Sequence, residues 1–206
     1  MRALWVLAWA NVVLHTAGLA LAWIGMRPGS PLVPLAERMA YLAGHPAGWT
    51  WGWGIWMACT LVLVAFMAVL RAALPECSIV PPLALLLTAA GMAADLLCDV
   101  LQIQVLPLAA AAGSTDLFLA FERLAFTGGA TVANGLYTTG VLLMTLRLRG
   151  RVGAPARWAG FGTAVAGYAM AVAGLLPSPR LLELATGPTI LLYSLWTVLV
   201  ARDCRS

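Results

Sequence analysis

The sequence predicts an all-α polytopic membrane protein, a six-transmembrane-helix bundle that forms one domain. Of its 206 residues, 62% are hydrophobic and only 10% are charged, whereas roughly a quarter of the residues of a soluble domain are charged. The mean hydropathy is +0.91. A crossing needs about 20 apolar residues, and six such runs fit this length. A water-soluble globular fold is therefore excluded.

Six apolar runs with short connections give the predicted spans. The first run exceeds the roughly 7–15 residues of a signal-peptide core, so we interpret it as a retained helix. Prolines stand at the start of the third, fifth and sixth runs, where the first turn of a helix tolerates them. The predicted spans are residues 3–25, 49–71, 79–106, 115–146, 155–176 and 179–201.

The connection between the first two spans predicts an interfacial segment. It holds three prolines before an amphipathic stretch, Leu35 to Ala43, which is too short to cross a bilayer. A helix of this kind lies in the membrane interface, so we expect a lid or collar above the bundle. The second span opens with Trp49, Trp51, Trp53 and Trp56. Because indole rings favour the headgroup level, they predict an aromatic belt.

The placement of arginines predicts the orientation, since cytoplasmic loops are enriched in positive charge. The side of both termini carries Arg2, Arg71, Arg147, Arg149, Arg151, Arg157, Arg202 and Arg205. The opposite side carries Arg27, Arg38 and Arg180. We therefore expect a multi-pass protein of the cell inner (plasma) membrane with both termini in the cytoplasm.

Composition excludes several kinds of chemistry. All 12 basic residues are arginine, and the chain has two histidines and four cysteines. Without lysine there is no Schiff-base chemistry, and two histidines exclude three-histidine zinc sites and bis-histidine ligation of several haems. The cysteines form no C-x-x-C motif. The net charge of +4 reflects topology rather than affinity for nucleic acid. We expect no cofactor, no metal and no nucleic-acid partner.

Ionisable side chains within the third and fourth spans are the main functional signal, because a charge near the bilayer centre costs about 2.5–3.5 kcal/mol. Asp95, Asp99 and Gln102 share one face of the third predicted helix. The fourth span has a polar stripe of Arg123, Thr127, Thr131, Asn134 and Thr138, with Glu122 beside it. Counting from the helix ends places Arg123 at the level of Asp99. The sequence therefore predicts an ion pair between Arg123 and Asp95 or Asp99.

These groups predict a polar cavity in the outward half of the bundle, beneath the first connection. Its expected binding residues are Asn11, His15, Asp95, Asp99, Gln102, Glu122, Arg123 and Asn134. Because like charges four residues apart on a helix repel, one aspartate carries a proton or the pair binds a cation. Alternatively, an Asp–Arg pair only locks two helices in register, and His15 is an ordinary core histidine.

Three functions remain open at this stage. The first is a small transporter or solute-binding membrane subunit, coupled to a proton or cation through Asp95 and Asp99. The second is an intramembrane enzyme that uses a protonated carboxyl as general acid on an isoprenoid or lipid substrate. The third is an accessory subunit without chemistry. The expected partners are membrane lipids and a small-molecule or lipid ligand. Small-residue faces, such as Gly160 with Ala164, predict close helix packing or a homo-oligomer.

Overall fold

The computed structural model describes residues 2–74, 78–176 and 178–204. It is 87% helix, and no strand occurs among these residues, so the all-helical prediction is confirmed. The helices are α1 (Arg2–Ile24), α2 (Leu35–Gly44), α3 (Pro46–Ala72), α4 (Val80–Val100), α5 (Leu106–Ala111), α6 (Thr115–Thr127), α7 (Asn134–Arg147), α8 (Ala154–Ala173) and α9 (Pro179–Asp203). A 3₁₀ turn covers Arg27–Gly29, and π-helical turns cover Leu101–Val105 and Gly128–Ala133.

Four of the described helical segments are long and apolar enough to cross a membrane. They are α1, α3, the continuous segment Val80–Ala111 and α9. Since each reaches the roughly 20 residues that a hydrocarbon core requires, the chain is a membrane-embedded protein.

The third helical segment continues past its predicted end at residue 106. The π turn before Pro107 accounts for this, because the N–H of Leu106 donates to the carbonyl of Leu101, five residues back. Pro107 has no N–H, so the carbonyl of Gln102 lacks a donor within its own helix. The indole N–H of Trp49 donates to that carbonyl at 2.7 Å. The helix therefore continues to Ala111.

The long helices pack as a closed ring. α1 contacts α3 and α9, and the remaining contacts run in chain order from α3 to α4, α4 to α7, α7 to α8 and α8 to α9. Phe66, Met67, Met144 and Trp196 are fully buried in the main core. A second apolar cluster, which includes Leu42, holds α2 against α5 and α6. The ring leaves room for a cavity at the end where α2 lies.

Glycines set the approach of α8 to the fourth helical segment, the continuous stretch of residues 115–147 that joins α6, the π turn and α7. A Cβ at each of three glycines would collide with a threonine across the interface: Gly160 faces Thr145, Gly167 faces Thr138 and Gly174 faces Thr131. Gly160 and Ala164 are buried as their spacing predicts. Close packing at small residues is the usual basis of helix association in membranes.

Candidate functional site

The helical ring encloses a cavity of about 340 Å³. Its lining comes from the C-terminal half of α1, the following connection, the N-terminal half of α3, the facing segments around both π turns, and the start of α9. Five of the eight predicted site residues line it: His15, Asp95, Asp99, Gln102 and Asn134. The cavity therefore lies in the half of the bundle away from the N-terminus of α1 and the C-terminus of α9.

Asp95 is held by two hydroxyl groups from neighbouring helices. Its Oδ2 accepts hydrogen bonds from Thr60 at 2.7 Å and from Tyr137 at 3.1 Å. A Cβ at Gly129 would lie 3.5 Å from Asp95 Oδ1, which is an ordinary contact, whereas the neighbouring Gly128 permits the close approach of the helices. A Cβ on Gly128 would come within 2.6 Å of a cysteine sulfur on α4. Thr60 and Tyr137 were not among the predicted site residues.

Asp99 and Gln102 provide buried acceptors that the protein does not satisfy. Their exposed fractions are 2% and 1%, and both line the cavity. Asp99 Oδ2 and Gln102 Oε1 have no hydrogen-bond partner among the described residues. A buried acceptor without a donor costs about 1–3 kcal/mol. Such atoms are therefore suited to receive donors from a molecule in the cavity.

His15 reaches the cavity from α1 in a defined tautomer. Its Nδ1 lies 2.9 Å from the carbonyl oxygen of Asn11, and because a carbonyl only accepts, Nδ1 carries a hydrogen. The ring meets Trp56 and Tyr193 edge to face. Asn11 is outside the lining and fully buried, and its amide accepts from Tyr193 and donates to Leu7. The Asn11 side chain therefore links α1 to Tyr193 of α9 rather than contacting the cavity.

The predicted ion pair between Arg123 and Asp95 or Asp99 is wrong. Arg123 is exposed and lies outside the cavity lining. Glu122 is buried in its place but does not line the cavity either. With Asn11, three of the eight predicted binding residues are therefore outside the cavity lining.

The π turn Gly128–Ala133 explains this difference. In an unbroken α-helix, Arg123 lies three turns before Asn134 on the same face. A π turn closes over five residues rather than four and so contains an extra one. That extra residue rotates the preceding helix by roughly 100°. Glu122 consequently takes the inward position, and Arg123 turns outward.

Glu122 pairs with Arg38 of α2 instead. The two side chains meet at 2.7 Å, between Nη2 and Oε2, and are 10% and 9% exposed. Arg38 also donates from Nη1 to the carbonyl of Val33, and its guanidinium lies 5.8 Å from the ring of Phe118. The pair attaches α2 to α6 above the cavity.

The threonines of the predicted polar stripe face α8 rather than the cavity. Thr127 and Thr131 donate to the carbonyls of Gly174 and Ala171, and Thr138 packs on a glycine of α8. Asn134 is the stripe residue that lines the cavity, where its amide donates to the carbonyl of Gly129 at 2.8 Å. Most of this stripe is a packing surface.

The predicted aromatic belt is also largely wrong. Trp49 is 2% exposed, and Trp49, Trp53 and Trp56 all line the cavity. Trp51 alone of the four is strongly exposed, at 76%. The spacing of the inward three, with Thr60 one turn further, is that of a single helix face. That spacing was available in the sequence and identifies the aromatic wall.

An ion pair lies at the mouth of the cavity. Arg27, in the connection after α1, is 3.6 Å from Glu183 near the start of α9, and the two side chains are 49% and 29% exposed. The guanidinium also lies 5.0 Å from the centre of the Trp23 ring. This pair links the connection to α9 at the edge of the cavity.

The arrangement combines an acidic interior with aromatic walls. No Arg lines the inner part of the cavity among the described residues, and those residues contain no group of three His, Cys, Asp or Glu side chains that could hold a metal ion. The unpartnered atoms in its lining are two acceptors, Asp99 Oδ2 and Gln102 Oε1, and one donor, the indole N–H of Trp53. Because the acceptors outnumber the donor, the site suits a solute that donates hydrogen bonds. No family model, curated protein or solved structure matches the chain.

Proposed function

We propose that the protein is a small integral membrane transporter, or the solute-binding membrane subunit of one. The main support for this proposal is that Asp99 Oδ2 and Gln102 Oε1 are buried in the cavity wall without a hydrogen-bond donor. Buried polar atoms in proteins are normally hydrogen-bonded. Other buried atoms without a partner, such as Glu122 Oε1 and Thr145 Oγ1, lie outside the cavity lining. Asp99 and Gln102 line the cavity, where a bound solute can supply the donors that their two oxygens lack.

Six crossings are part of this proposal. The segment from Thr115 to Arg147 runs through its π turn without a break, and α8 has 20 residues, or about 30 Å of helix. That length matches the hydrocarbon core. Six helices that cross the membrane in alternating directions would also be consistent with the ring of contacts between successive helices. α2 would then lie at the outer interface.

We place the protein in the cell inner (plasma) membrane, with both termini in the cytoplasm. α8 begins and α9 ends at the same end of the bundle. There the N–H of Gly153 donates a hydrogen bond to Asp203 at 2.8 Å. Arginines concentrate at this end, as expected for a cytoplasmic side. The cavity, at the other end, would face outward. Membrane lipids would surround the ring, and a homo-oligomer stays a prediction.

Coupling to a proton or cation would operate through Asp95 and Asp99. The two carboxyls are four residues apart on one helix face, where like charges repel. The other titratable groups facing them are His15 of α1, Cys59 of α3, Cys98 of α4 and Tyr137 of α7. Because no arginine lies among these groups, a cationic solute and a proton would compete for the same carboxyl.

An intramembrane enzyme is the second candidate. The aromatic wall of Trp53, Trp56 and Phe126 could accommodate an isoprenoid chain, with Asp99 as the general acid. This function requires a lipid-soluble substrate that is converted to a product. An accessory subunit without chemistry would bind neither kind of molecule.

The test uses the purified full chain in lipid nanodiscs and in proteoliposomes that contain a pH-sensitive dye. Thermal unfolding is measured with cationic, neutral and anionic water-soluble solutes and with isoprenoid alcohols. We expect a water-soluble solute to raise the unfolding temperature and to drive proton movement. Both effects should disappear in Asp95→Asn and Asp99→Asn, and remain in Asp116→Asn, which removes an exposed carboxyl at the start of α6.

Two outcomes contradict the transporter proposal. Stabilisation by an isoprenoid alcohol alone, with a new product found by mass spectrometry, would favour the enzyme. Absence of stabilisation by any solute or lipid would favour the accessory subunit.

A further inference from the structure

We infer that the cavity binds a protonated primary amine with a compact apolar body, its ammonium group held between Asp99 and Gln102. This inference rests on the proposed solute-binding function and names the substrate class of the same site.

The two unsatisfied acceptors define the head group. Asp99 Oδ2 and Gln102 Oε1 lie about one turn apart on the wall of one cavity, and both are without a donor among the described residues. A primary ammonium has three N–H donors and can supply both acceptors at once. A quaternary ammonium carries the same charge but has no N–H donor. The acceptors therefore favour the primary amine.

Charge balance favours a cation over a neutral donor. Asp95 and Asp99 both line the cavity, and the chain has no lysine. Among the described residues, the arginine in the lining is Arg27, which pairs with Glu183 at the mouth. The acidic interior thus has no cationic partner from the protein, and a bound ammonium would provide one.

An inorganic divalent cation fits this site less well than an ammonium. Ca²⁺ takes six to eight oxygen ligands, but the described residues hold no group of three His, Cys, Asp or Glu side chains for a metal. The remaining wall is mainly aromatic and aliphatic, and its other oxygens are those of scattered hydroxyl and amide groups, apart from Glu183 at the mouth. Its composition is therefore that of an organic-cation site.

The aromatic wall defines the body of the ligand. Trp53 is held edge to face by Trp49 at 5.8 Å and by Phe126 at 6.2 Å, measured between ring centroids. Trp56 and Tyr137 complete the wall. Aromatic faces attract an organic cation and also pack an apolar body. A volume of about 340 Å³ is near the lower limit of small-ligand sites, about 300–1,000 Å³, so we expect a single ring or short chain.

The experiment measures binding of four related probes by isothermal titration calorimetry to the full chain in nanodiscs. The probes are 2-phenylethylamine, its N,N,N-trimethyl analogue, 2-phenylethanol and 3-phenylpropionate. They share one apolar body and differ in charge and in N–H donors. We expect 2-phenylethylamine to bind about tenfold or more tightly than each of the other three, because the others lack either the positive charge or the N–H donors.

Variants assign the effect to the two acceptors. Asp99→Asn should weaken 2-phenylethylamine binding about tenfold or more. Gln102→Met, which keeps the side-chain length, should weaken the primary amine while leaving the trimethyl analogue unchanged. Asp116→Asn is the matched control and should bind as the original chain does. If Asp99→Asn does not fold, as judged by size-exclusion chromatography, the change in selectivity of Gln102→Met still provides the test.

The outcomes separate this inference from the proposed function. Equal binding of the primary and trimethyl amines would overturn the assignment of Asp99 and Gln102 as N–H acceptors. Binding of the alcohol or the carboxylate without the amine would overturn the substrate class but leave a solute-binding function in place. Failure of all four probes would overturn the amine inference, and the broader solute panel then decides whether the proposed function also fails.

Discussion

At the scale of single residues, Trp49 stabilises the π turn that positions Gln102. Its indole N–H supplies the donor that Pro107 cannot give to the carbonyl of Gln102. We expect Trp49→Phe to lower the free energy of unfolding by about 1–3 kcal/mol, because the carbonyl stays buried and unpaired. Unfolding in detergent micelles measures this. Trp51→Phe is the matched control and should change stability by about 0.5 kcal/mol or less; equal losses in both variants would contradict the role of the indole N–H.

The buried ion pair of Arg38 and Glu122 makes a second prediction at the residue scale. Removing one partner of a buried pair leaves an uncompensated charge, so Arg38→Met or Glu122→Leu should each cost about 3–5 kcal/mol. The double variant Arg38→Met/Glu122→Leu should lose less than either single variant. Thermal or denaturant unfolding of all three variants completes the cycle.

The exposed pair at the cavity mouth is the control for that cycle. Glu183→Gln breaks the Arg27–Glu183 pair, whose side chains are 49% and 29% exposed, and should cost less than about 1 kcal/mol. Additive losses in the Arg38 and Glu122 cycle would mean that the two side chains do not interact energetically.

At the scale of helices, periodicity predicted well wherever the helices are regular. Asp95, Asp99 and Gln102 share one face because four- and three-residue steps return to the same side of an α-helix. The method failed at the π turn Gly128–Ala133. The hydrophobic pattern of the sequence does not reveal the extra residue within Gly128–Ala133. The inward position that periodicity assigned to Arg123 is therefore occupied by Glu122. The break in periodicity is set by tertiary contacts that a local pattern does not contain.

Packing between α8 and the fourth helical segment also yields a prediction at this scale. A Cβ at Gly167 would overlap the Thr138 side chain, so Gly167→Ala must push the helices apart. Overpacking of this kind costs about 1–3 kcal/mol. At Gly54 of α3, an added Cβ has no neighbour within 4 Å, and Gly54→Ala should instead stabilise the helix by about 0.4–1 kcal/mol.

Thermal unfolding of the two alanine variants tests this contrast directly. The same substitution in two helix interiors should change stability in opposite directions. A gain in stability for Gly167→Ala would show that α8 and α7 can separate without cost, against the close approach that the structure describes.

At the scale of the whole molecule, the site depends on contacts between distant parts of the chain. Glu122 pairs with Arg38, from which it is separated by 84 positions in the sequence. Asp95 accepts a hydrogen bond from Thr60, 35 positions earlier. Spacing identified the acidic face of α4 but not these partners, since neither lies on a neighbouring turn. The tryptophan spacing on α3 did indicate an inward face, but the general preference of indole for membrane interfaces led to the opposite interpretation.

The orientation of the bundle can be tested with cysteine labelling. In a variant that keeps only Cys204, a membrane-impermeant maleimide applied to intact cells should leave the protein unlabelled, while inverted vesicles should allow reaction. Ala112→Cys, at an exposed position between α5 and α6, should show the reverse pattern in a cysteine-free chain. Cys77 is expected on the same side as Cys204 but lies outside the described residues.

The pH dependence of labelling provides an internal check on that result. Burial raises the pKa of the Cys204 thiol, and the neighbouring carboxylate of Asp203 raises it further, partly opposed by Arg151. The thiolate is the reactive form, so a raised pKa leaves less of it at neutral pH. Labelling in inverted vesicles should therefore begin slowly and accelerate with rising pH, at a higher pH than for Ala112→Cys in intact cells. Fast labelling of Cys204 from outside intact cells would overturn the orientation, and with it the outward-facing cavity.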